Sequence, residues 1–292
     1  MKPPLFEYIS PETIEGAIAA RTSEEDSAIL AGGQSLIPTL NFRIANPALI
    51  IDIRRIRELR GIKFNENHIS VGAMTSQREL ELNKEVIKCN PLINEVLQNV
   101  AHTVIRNRGT IAGSIAHADA AAELPAMLLA TGGSVTAVGK SGARDIKAED
   151  LFKFHLTTSL TSDEIITEVL IPNLPINTGW SFKEFARRHG DYALAGICAL
   201  ISIDHNNTCT YASITGCGIA SCAIRLKKAE EALINKPLND SNIEIAAKAA
   251  REEVSTPDET QATTAYRQHL VNTLTSRVLI DAKTKAQERQ AR

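Results

Sequence analysis

Two carboxylates, Asp119 and Glu123, stand just downstream of a small-residue turn, Ala112-Gly113-Ser114, which has hydroxyls at Thr110 and Ser114. Such a turn lets backbone N–H groups approach a phosphate closely, because no bulky Cβ intervenes. Hydroxyls and carboxylates beside it can take the sugar-alcohol hydroxyls of a nucleotide or flavin. A purely structural reading fits the same stretch equally well. In that reading Gly113 serves a tight turn, and Asp119 caps a helix over 121–131, a segment rich in Ala and Leu.

A comparable turn lies upstream in Ile29-Leu30-Ala31-Gly32-Gly33-Gln34-Ser35-Leu36. The apolar run 28–31 predicts a short buried strand, Gly32-Gly33 breaks it, and 36–42 predicts one or two helical turns. A strand that runs into a glycine pair and a helix start presents amide donors to an anion. No Lys or Arg lies within 31–35, so a phosphate held there is held by main-chain amides. The sequence lacks the Gly-Lys-Ser/Thr ending of a P-loop, and it is not G-x-G-x-x-G followed by an acid. Two such turns, each after an extended segment, suit one diphosphate ligand between two loops.

The elements that position these turns follow from the pattern. Residues 6–9 read as a strand, and Ser10-Pro11-Glu12 reads as a helix start with cap, first-position proline and first-turn acid. That helix carries Ile14, Ala17 and Ile18 toward a sheet of 28–31 and 49–53, a βαβ-like first lobe. Strand 69–71 begins a larger lobe. There 76–102 patterns as helix, with Leu80, Val86, Leu92, Val96, Leu97 and Val100 on one face, and 134–138 and 165–171 read as strands. Residues 170–179, with Pro172 and Pro175, read as a linker. Beyond it 180–185, 196–203 and 208–216 read as antiparallel strands, with Asp204-His205-Asn206-Asn207 as a turn. Helical patterns at 225–234, 242–253 and 260–282 then make an α+β domain. The tail 283–292 is polar and expected to fray. The expected domains are 1–175, with lobes of about 1–55 and 56–175, and 176–282.

A length of 292 residues suits two domains, and a composition 43% hydrophobic and 23% charged is ordinary for a globular protein. The formal net charge of −2 gives no reason to expect nucleic acid or an acidic membrane surface as partner. No apolar run reaches the length of about eighteen residues that a membrane span needs. Met1-Lys2-Pro3-Pro4 lacks a signal-peptide core, so the expected location is cytoplasmic. The cysteines are Cys89, Cys198, Cys209, Cys217 and Cys222, an odd number without short regular spacing, which argues against a disulfide framework. Cys217 and Cys222 fall short of the four thiolates an iron–sulfur site requires, and Cys198 and Cys209 lie in strand-like segments. Neither Gly-x-Ser-x-Gly nor His-Glu-x-x-His occurs, so a cofactor is expected to carry the chemistry.

Ala31-Gly32-Gly33-Gln34-Ser35, Asn46-Pro47, Thr110-Ile111-Ala112-Gly113-Ser114, His117-Ala118-Asp119 with Glu123, and Arg187-Arg188-His189-Gly190-Asp191-Tyr192-Ala193 occur in that order within 6–282. Together they resemble the flavin motifs of the medium subunit of molybdenum hydroxylases. That group includes carbon monoxide dehydrogenase medium chains and the FAD domain of xanthine dehydrogenase. Two positions depart from the family: Ala112 stands where a second Gly is frequent, and Ala120 where Pro is usual.

The resemblance implies FAD, bound without a covalent link. It also implies a two-lobed FAD-binding domain of the p-cresol methylhydroxylase/vanillyl-alcohol oxidase type, followed by a smaller α+β domain. It places Ile29, Leu30, Ala31, Gly32, Gly33, Gln34, Ser35 and Leu36 at the cofactor, with Thr110, Ile111, Ala112, Gly113 and Ser114 opposite. Asp119 or Glu123 falls on the ribityl side, His117 is a hydrogen-bonding loop residue, Ile166 and Lys183 lie nearer the ring, and Val100 touches the adenine. Asp191 and Tyr192 on their own read as a strand-end turn with Tyr192 in the core. The resemblance instead puts the tyrosine over the ring. Arg106 and Arg108, beside the second turn, read as solvated charges. The implied partners are a small 2Fe-2S iron–sulfur subunit and a large molybdopterin subunit in a dimer of heterotrimers. Electrons would pass from the cluster through FAD to an external acceptor, and apolar surface near the flavin would await those partners. A self-sufficient FAD-dependent oxidoreductase of the same broad fold is the alternative, and a non-enzymatic nucleotide-binding module is a third reading.

Overall fold

The computed structural model describes residues 2–291. The chain opens with β1 (Glu7–Ile9), α1 (Ile14–Ser23), β2 (Ser27–Leu30), α2 (Leu36–Asn41) and β3 (Leu49–Asp52). β3 lies between β1 and β2 and pairs with both in parallel. A central parallel strand is covered on both faces, which accounts for its unbroken buried run of Leu49, Ile50 and Ile51. α1 starts later than the Ser10-Pro11-Glu12 signal suggests. Thr13 is its cap, accepting from the Gly16 amide at 3.1 Å, while the Ser10 hydroxyl donates to the Asp52 carbonyl at 3.3 Å. Ala17 and Ile18 are buried, as the pattern predicts.

The second lobe runs through β4 (Ile62–Phe64), β5 (His68–Gly72), α3 (Gln77–Leu82), α4 (Lys84–Cys89), α5 (Pro91–Leu97), α6 (Thr103–Arg106), α7 (Ile111–His117) and α8 (Glu123–Thr131). It continues with β6 (Ser134–Gly139), β7 (Gly142–Lys147), α9 (Ala148–Leu151), β8 (Phe152–Phe154), β9 (Thr157–Thr158) and β10 (Ile165–Pro172). Its main sheet is antiparallel in the order β4-β5-β10-β6-β7. The helical pattern expected over 76–102 is broken into three helices. Asn83 caps α4 by accepting from the Glu85 and Val86 amides, and Pro91 opens α5. Leu80, Val86, Leu92, Val96 and Leu97 still share one core.

β11 (Thr178–Phe185), β12 (Ala195–Ile203), β13 (Cys209–Cys217) and β14 (Ile224–Arg225) form an antiparallel meander, followed by α10 (Lys227–Leu233), α11 (Asp240–Glu252) and α12 (Thr264–Gln290). The connection into it is only 173–177, because β10 continues to Pro172 and β11 begins at Thr178. Every residue of β12 is buried because both its faces are covered. Cys198 and Leu200 join the core of the preceding lobes, whereas Ile197, Ala199, Ile201 and Ile203 join the core under the last helices. Period-two alternation thus serves two cores from one strand.

The tail overturns its expectation. α12 continues to Gln290 within the segment 283–292 expected to fray, with Ala286 fully buried, and Arg292 lies outside the described residues. Lys285 Nζ lies 2.6 Å from Glu95 Oε2 and 4.9 Å from the Trp180 ring centroid, and Gln290 Nε2 donates to the Ile203 carbonyl at 2.6 Å. Gly179 permits this approach, since a Cβ there would fall on the Ala282 carbonyl. Glu95 Oε1 in turn accepts from the Phe182 amide at 2.9 Å, so one carboxylate ties α5, β11 and α12 together. Among the described residues no helix is long and apolar enough to cross a membrane.

Candidate functional site

The first loop begins where β2 ends, beside Asp52 at the end of β3. Burial works against the charge of Asp52, but bonds from Arg54 and from the Tyr8 hydroxyl at 2.5 Å outweigh it and hold the carboxyl below its usual value. That pinned carboxylate fixes the strand ends from which the loop departs. Gly33 has φ +74°, a conformation that costs any residue with a Cβ. Gly32 is constrained differently: a Cβ there would fall on the Arg108 carbonyl, with Gly109 Cα at 2.8 Å. The loop therefore lies backbone against backbone on the segment leading into Thr110. The amides of Gly33, Gln34 and Ala112 have no acceptor among the described residues.

The second loop differs from its sequence reading. Ala112, Gly113 and Ser114 are helical, in α7, and Thr110 caps that helix by accepting from the Gly113 amide at 3.0 Å. Asp119 does not cap α8. Its Oδ1 accepts from the Ala121 amide at 2.9 Å within the intervening turn, and the helix starts at Glu123 without a side-chain cap. Ala118 closes α7 at φ 51°. This turn is clamped from outside, where the Gly218 amide donates to the Ala120 carbonyl at 2.7 Å and the Leu156 amide to the Ala118 carbonyl at 3.0 Å.

Arg106, read as a solvated charge, is buried and structural. Its Nε lies 2.9 Å from Glu81 Oε2, and its Nη1 donates to the Val100 and Ala101 carbonyls at 2.9 and 3.1 Å. The partner is distant in sequence, so no local signal announces it. Arg108 is exposed, as expected. It borders a cleft of about 1040 Å³ that opens beside Gly32, Gly33 and Gln34, with Arg54, Arg60 and Arg78 also on its wall.

At the C-terminal end of α7, His117, Asp119, Glu123 and Tyr192 form one electrostatic neighbourhood. Burial raises the Glu123 carboxyl to about 7, with the Asp119 charge adding to the effect. Tyr192 is 65% exposed rather than in the core, and desolvation, then Asp119 and Glu123, raise its phenol. Burial lowers the His117 imidazole and His155 adds to that, while Asp119 opposes it. Asp191 is exposed and pairs loosely with Arg188 at 3.7 Å.

The remaining expected contacts are less uniform. Ile166 is buried in β10 opposite Ala137, next to a bulge, and Val100 is 7% exposed within the core. Lys183 is set apart. Its ammonium lies 2.8 Å from Asp281 on α12, the opposite face of β11 from Phe182, which packs into the core of the first two lobes. The residue on the inner face is its neighbour Glu184. Burial, followed by the charge of Glu123, raises its carboxyl to about 8, and its Oε2 is inaccessible and without a hydrogen-bond partner. Sequence reasoning missed Glu184. The signal was an acid continuing the inward series Trp180, Phe182.

Residues 4–174 match the family described as FAD binding domain in molybdopterin dehydrogenase, and 180–282 match the CO dehydrogenase flavoprotein C-terminal domain. The chain is 40% identical over 287 residues to the 6-hydroxypseudooxynicotine dehydrogenase complex subunit alpha of Paenarthrobacter nicotinovorans, covering 98% of this chain and 97% of the relative. Among solved structures it superposes on carbon monoxide dehydrogenase from Hydrogenophaga pseudoflava with TM-score 0.95 and 32% identity, over 98% of this chain and 99% of that one. It also superposes on quinoline 2-oxidoreductase from Pseudomonas putida 86 with TM-score 0.93 and 34% identity, again over 98% and 99%. The fold and these matches agree: the chain belongs to the FAD-binding medium subunits of the molybdopterin dehydrogenases, the family of the carbon monoxide dehydrogenase medium chains, and is an oxidoreductase subunit.

Proposed function

We propose that FAD lies across the Gly32-Gly33 loop and the start of α7 and relays electrons from a small 2Fe-2S subunit to an external acceptor. A large molybdopterin subunit oxidises the substrate, and the assembly is a dimer of heterotrimers. The carrying observation is the close approach of the Gly32 and Arg108 backbones, which leaves no room for a side chain at Gly32, beside amides without acceptors among the described residues. Those donors suit a diphosphate, and the residues present fit the cofactor. The reading extends to a fold of the p-cresol methylhydroxylase/vanillyl-alcohol oxidase type, with the FAD-binding domain at 1–175 and the second domain from 176 onward.

Bound there, FAD supplies reversible one- and two-electron transfer. The chain's own groups hold and orient it. The Gly33, Gln34 and Ala112 amides donate to the diphosphate, and Asp119 or Glu123 accepts from ribityl hydroxyls. Tyr192, exposed on its loop, is free to cover a ring face. Lys183 is assigned no contact, since Asp281 holds it. Phe42 is 68% exposed and Ile44 79% exposed just beyond α2, which follows the first loop. Apolar surface so close to the cradle favours a covering partner.

The test is purification of the chain from its native source under gentle conditions. The reading expects a yellow complex with a molybdopterin chain and an iron–sulfur chain, and FAD released intact by acid. A flavin-free chain, or colour remaining on the precipitated polypeptide, contradicts it.

A further inference from the structure

Arg267 has no role in any reading above, yet it is a cation held inside the molecule, near the start of α12 and 5% exposed. Its Nη1 donates to two carbonyls, Leu194 at 2.5 Å and Gly218 at 2.6 Å, and its Nη2 donates to Glu259 Oε2 at 2.5 Å. Leu194 closes the loop 186–194, which carries Asp191 and Tyr192, because its amide donates to the Phe185 carbonyl at 2.8 Å. Phe185, the other foot of that loop, meets the Tyr266 ring edge-on with centroids 6.3 Å apart. Consecutive residues of α12 therefore hold both feet. Gly218 has φ +71°, and a Cβ there would fall 2.7 Å from the Ala193 carbonyl, so its backbone nests against the end of the same loop. In the other direction, the Gly218 amide donates to the Ala120 carbonyl at 2.7 Å, in the turn that carries Asp119 and leads to Glu123. One guanidinium thus joins the Tyr192 loop to the Asp119 turn, two segments distant in sequence.

The geometry points to Arg267 as a positioning residue for the flavin ring: by holding the Leu194 and Gly218 carbonyls together, it sets where Tyr192 stands relative to Asp119 and Glu123. This rests on the FAD reading proposed above. The guanidinium is planar with fixed N–H directions, so it holds the two carbonyls in one relative placement rather than merely attracting them. Bonds from a charged donor are also stronger than neutral ones, and Glu259 balances the charge. No bond of Arg267 reaches the Gly32-Gly33 loop or α7 among the described residues. Its effect therefore falls on the surroundings of the ring and not on the hold on the diphosphate.

Two measurements on the full chain test it with Arg267→Lys, which keeps the charge and loses the two fixed N–H directions. In the flavin-free chain, amide hydrogen exchange in 186–194 and 216–220 should quicken together by about tenfold, with β3 unchanged. Equal quickening in β3 is a general loss of stability and overturns the local junction. In the FAD-loaded chain, visible circular dichroism of the flavin reports on the ring's surroundings. Arg267→Lys should change it in the direction that Tyr192→Ala does, at unchanged FAD content, and the two substitutions combined should match Tyr192→Ala alone. Additive changes overturn the positioning role, as does an unchanged spectrum in either single variant. If Arg267→Lys does not fold, Gly218→Ala takes its place, since the added Cβ pushes on the Ala193 carbonyl at the same junction. The same non-additivity with Tyr192→Ala is expected there, and additivity overturns the role. Failure of the unsubstituted chain to bind FAD removes the cofactor reading and the ring role with it, while the exchange result still decides whether Arg267 joins the two segments.

Discussion

At the loop end of the cradle the chain offers backbone, with Gly32 against the Arg108 carbonyl, Gly33 at positive φ, and amides without acceptors. At the other end it offers side chains, where burial and the charge of Asp119 raise the Glu123 carboxyl, and burial and the charge of Glu123 raise the Glu184 carboxyl and the Tyr192 phenol. The difference sets how each end fails. A backbone cradle is defined by what is missing, so an added Cβ destroys it. A side-chain cluster is defined by its charges, so isosteric changes retune it and leave binding intact.

The comparison breaks first at Gly33→Val. The added Cβ meets Ile37 and Leu30 at 3.1 Å in a conformation that a β-branched residue avoids. FAD affinity should fall by about a hundredfold or more while the meander stays folded. Equilibrium dialysis alongside circular dichroism checks both parts, and full flavin occupancy in this variant would falsify the loop assignment.

Truncation after Ala282 should act on stability alone. It removes the Lys285–Glu95 pair and the burial of Ala286, at a cost of about 2 kcal/mol in denaturant unfolding. Loss of flavin without loss of stability would show that the tail belongs to the site.

At the side-chain end, pH is the lever. In the folded chain Glu123 and Glu184 keep their protons to about 7 and 8, whereas in the unfolded chain they release them near the ordinary 4.5. The folded state therefore binds more protons across that window. The stability this contributes is full below the unfolded value, falls progressively as pH rises above about 4.5, and is wholly lost once pH has passed through 7 to 8. The flavin-free chain should lose several degrees of Tm over that rise, and Glu184→Gln should flatten the slope. A flat wild-type profile would contradict the burial argument.

The smallest effect is expected at Tyr192→Ala. With the ring 65% exposed, folding should change by under about 1 kcal/mol. The flavin spectrum and acceptor rate should shift instead, and a variant unchanged in both would remove Tyr192 from the ring.

Much of this was legible in sequence where the signal is local. Gly32-Gly33 after an apolar run gives the first loop, and the meander with its Asp204 turn follows from alternation. Motif order carried what single motifs could not, and the family matches agree with it. What stayed hidden depends on distant partners. Arg106 looks solvated until Glu81 is placed beside it, and Lys285 looks frayed until its ammonium is placed over the Trp180 ring. Gly113 and Ser114 read as a turn because both are weak helix formers, but the Thr110 cap overrides that preference. A single Glu184 in a strand carries no motif at all.

The most direct test of the central claim compares FAD with FMN on the flavin-depleted chain by equilibrium titration. The ring is common to both, so any difference reports on the diphosphate and adenine half at the loops. The account predicts that FAD binds more than about a hundredfold tighter, and that Gly33→Val collapses this ratio toward one. Equal affinities in the unsubstituted chain would show that the Gly32-Gly33 loop and the start of α7 do not hold the diphosphate.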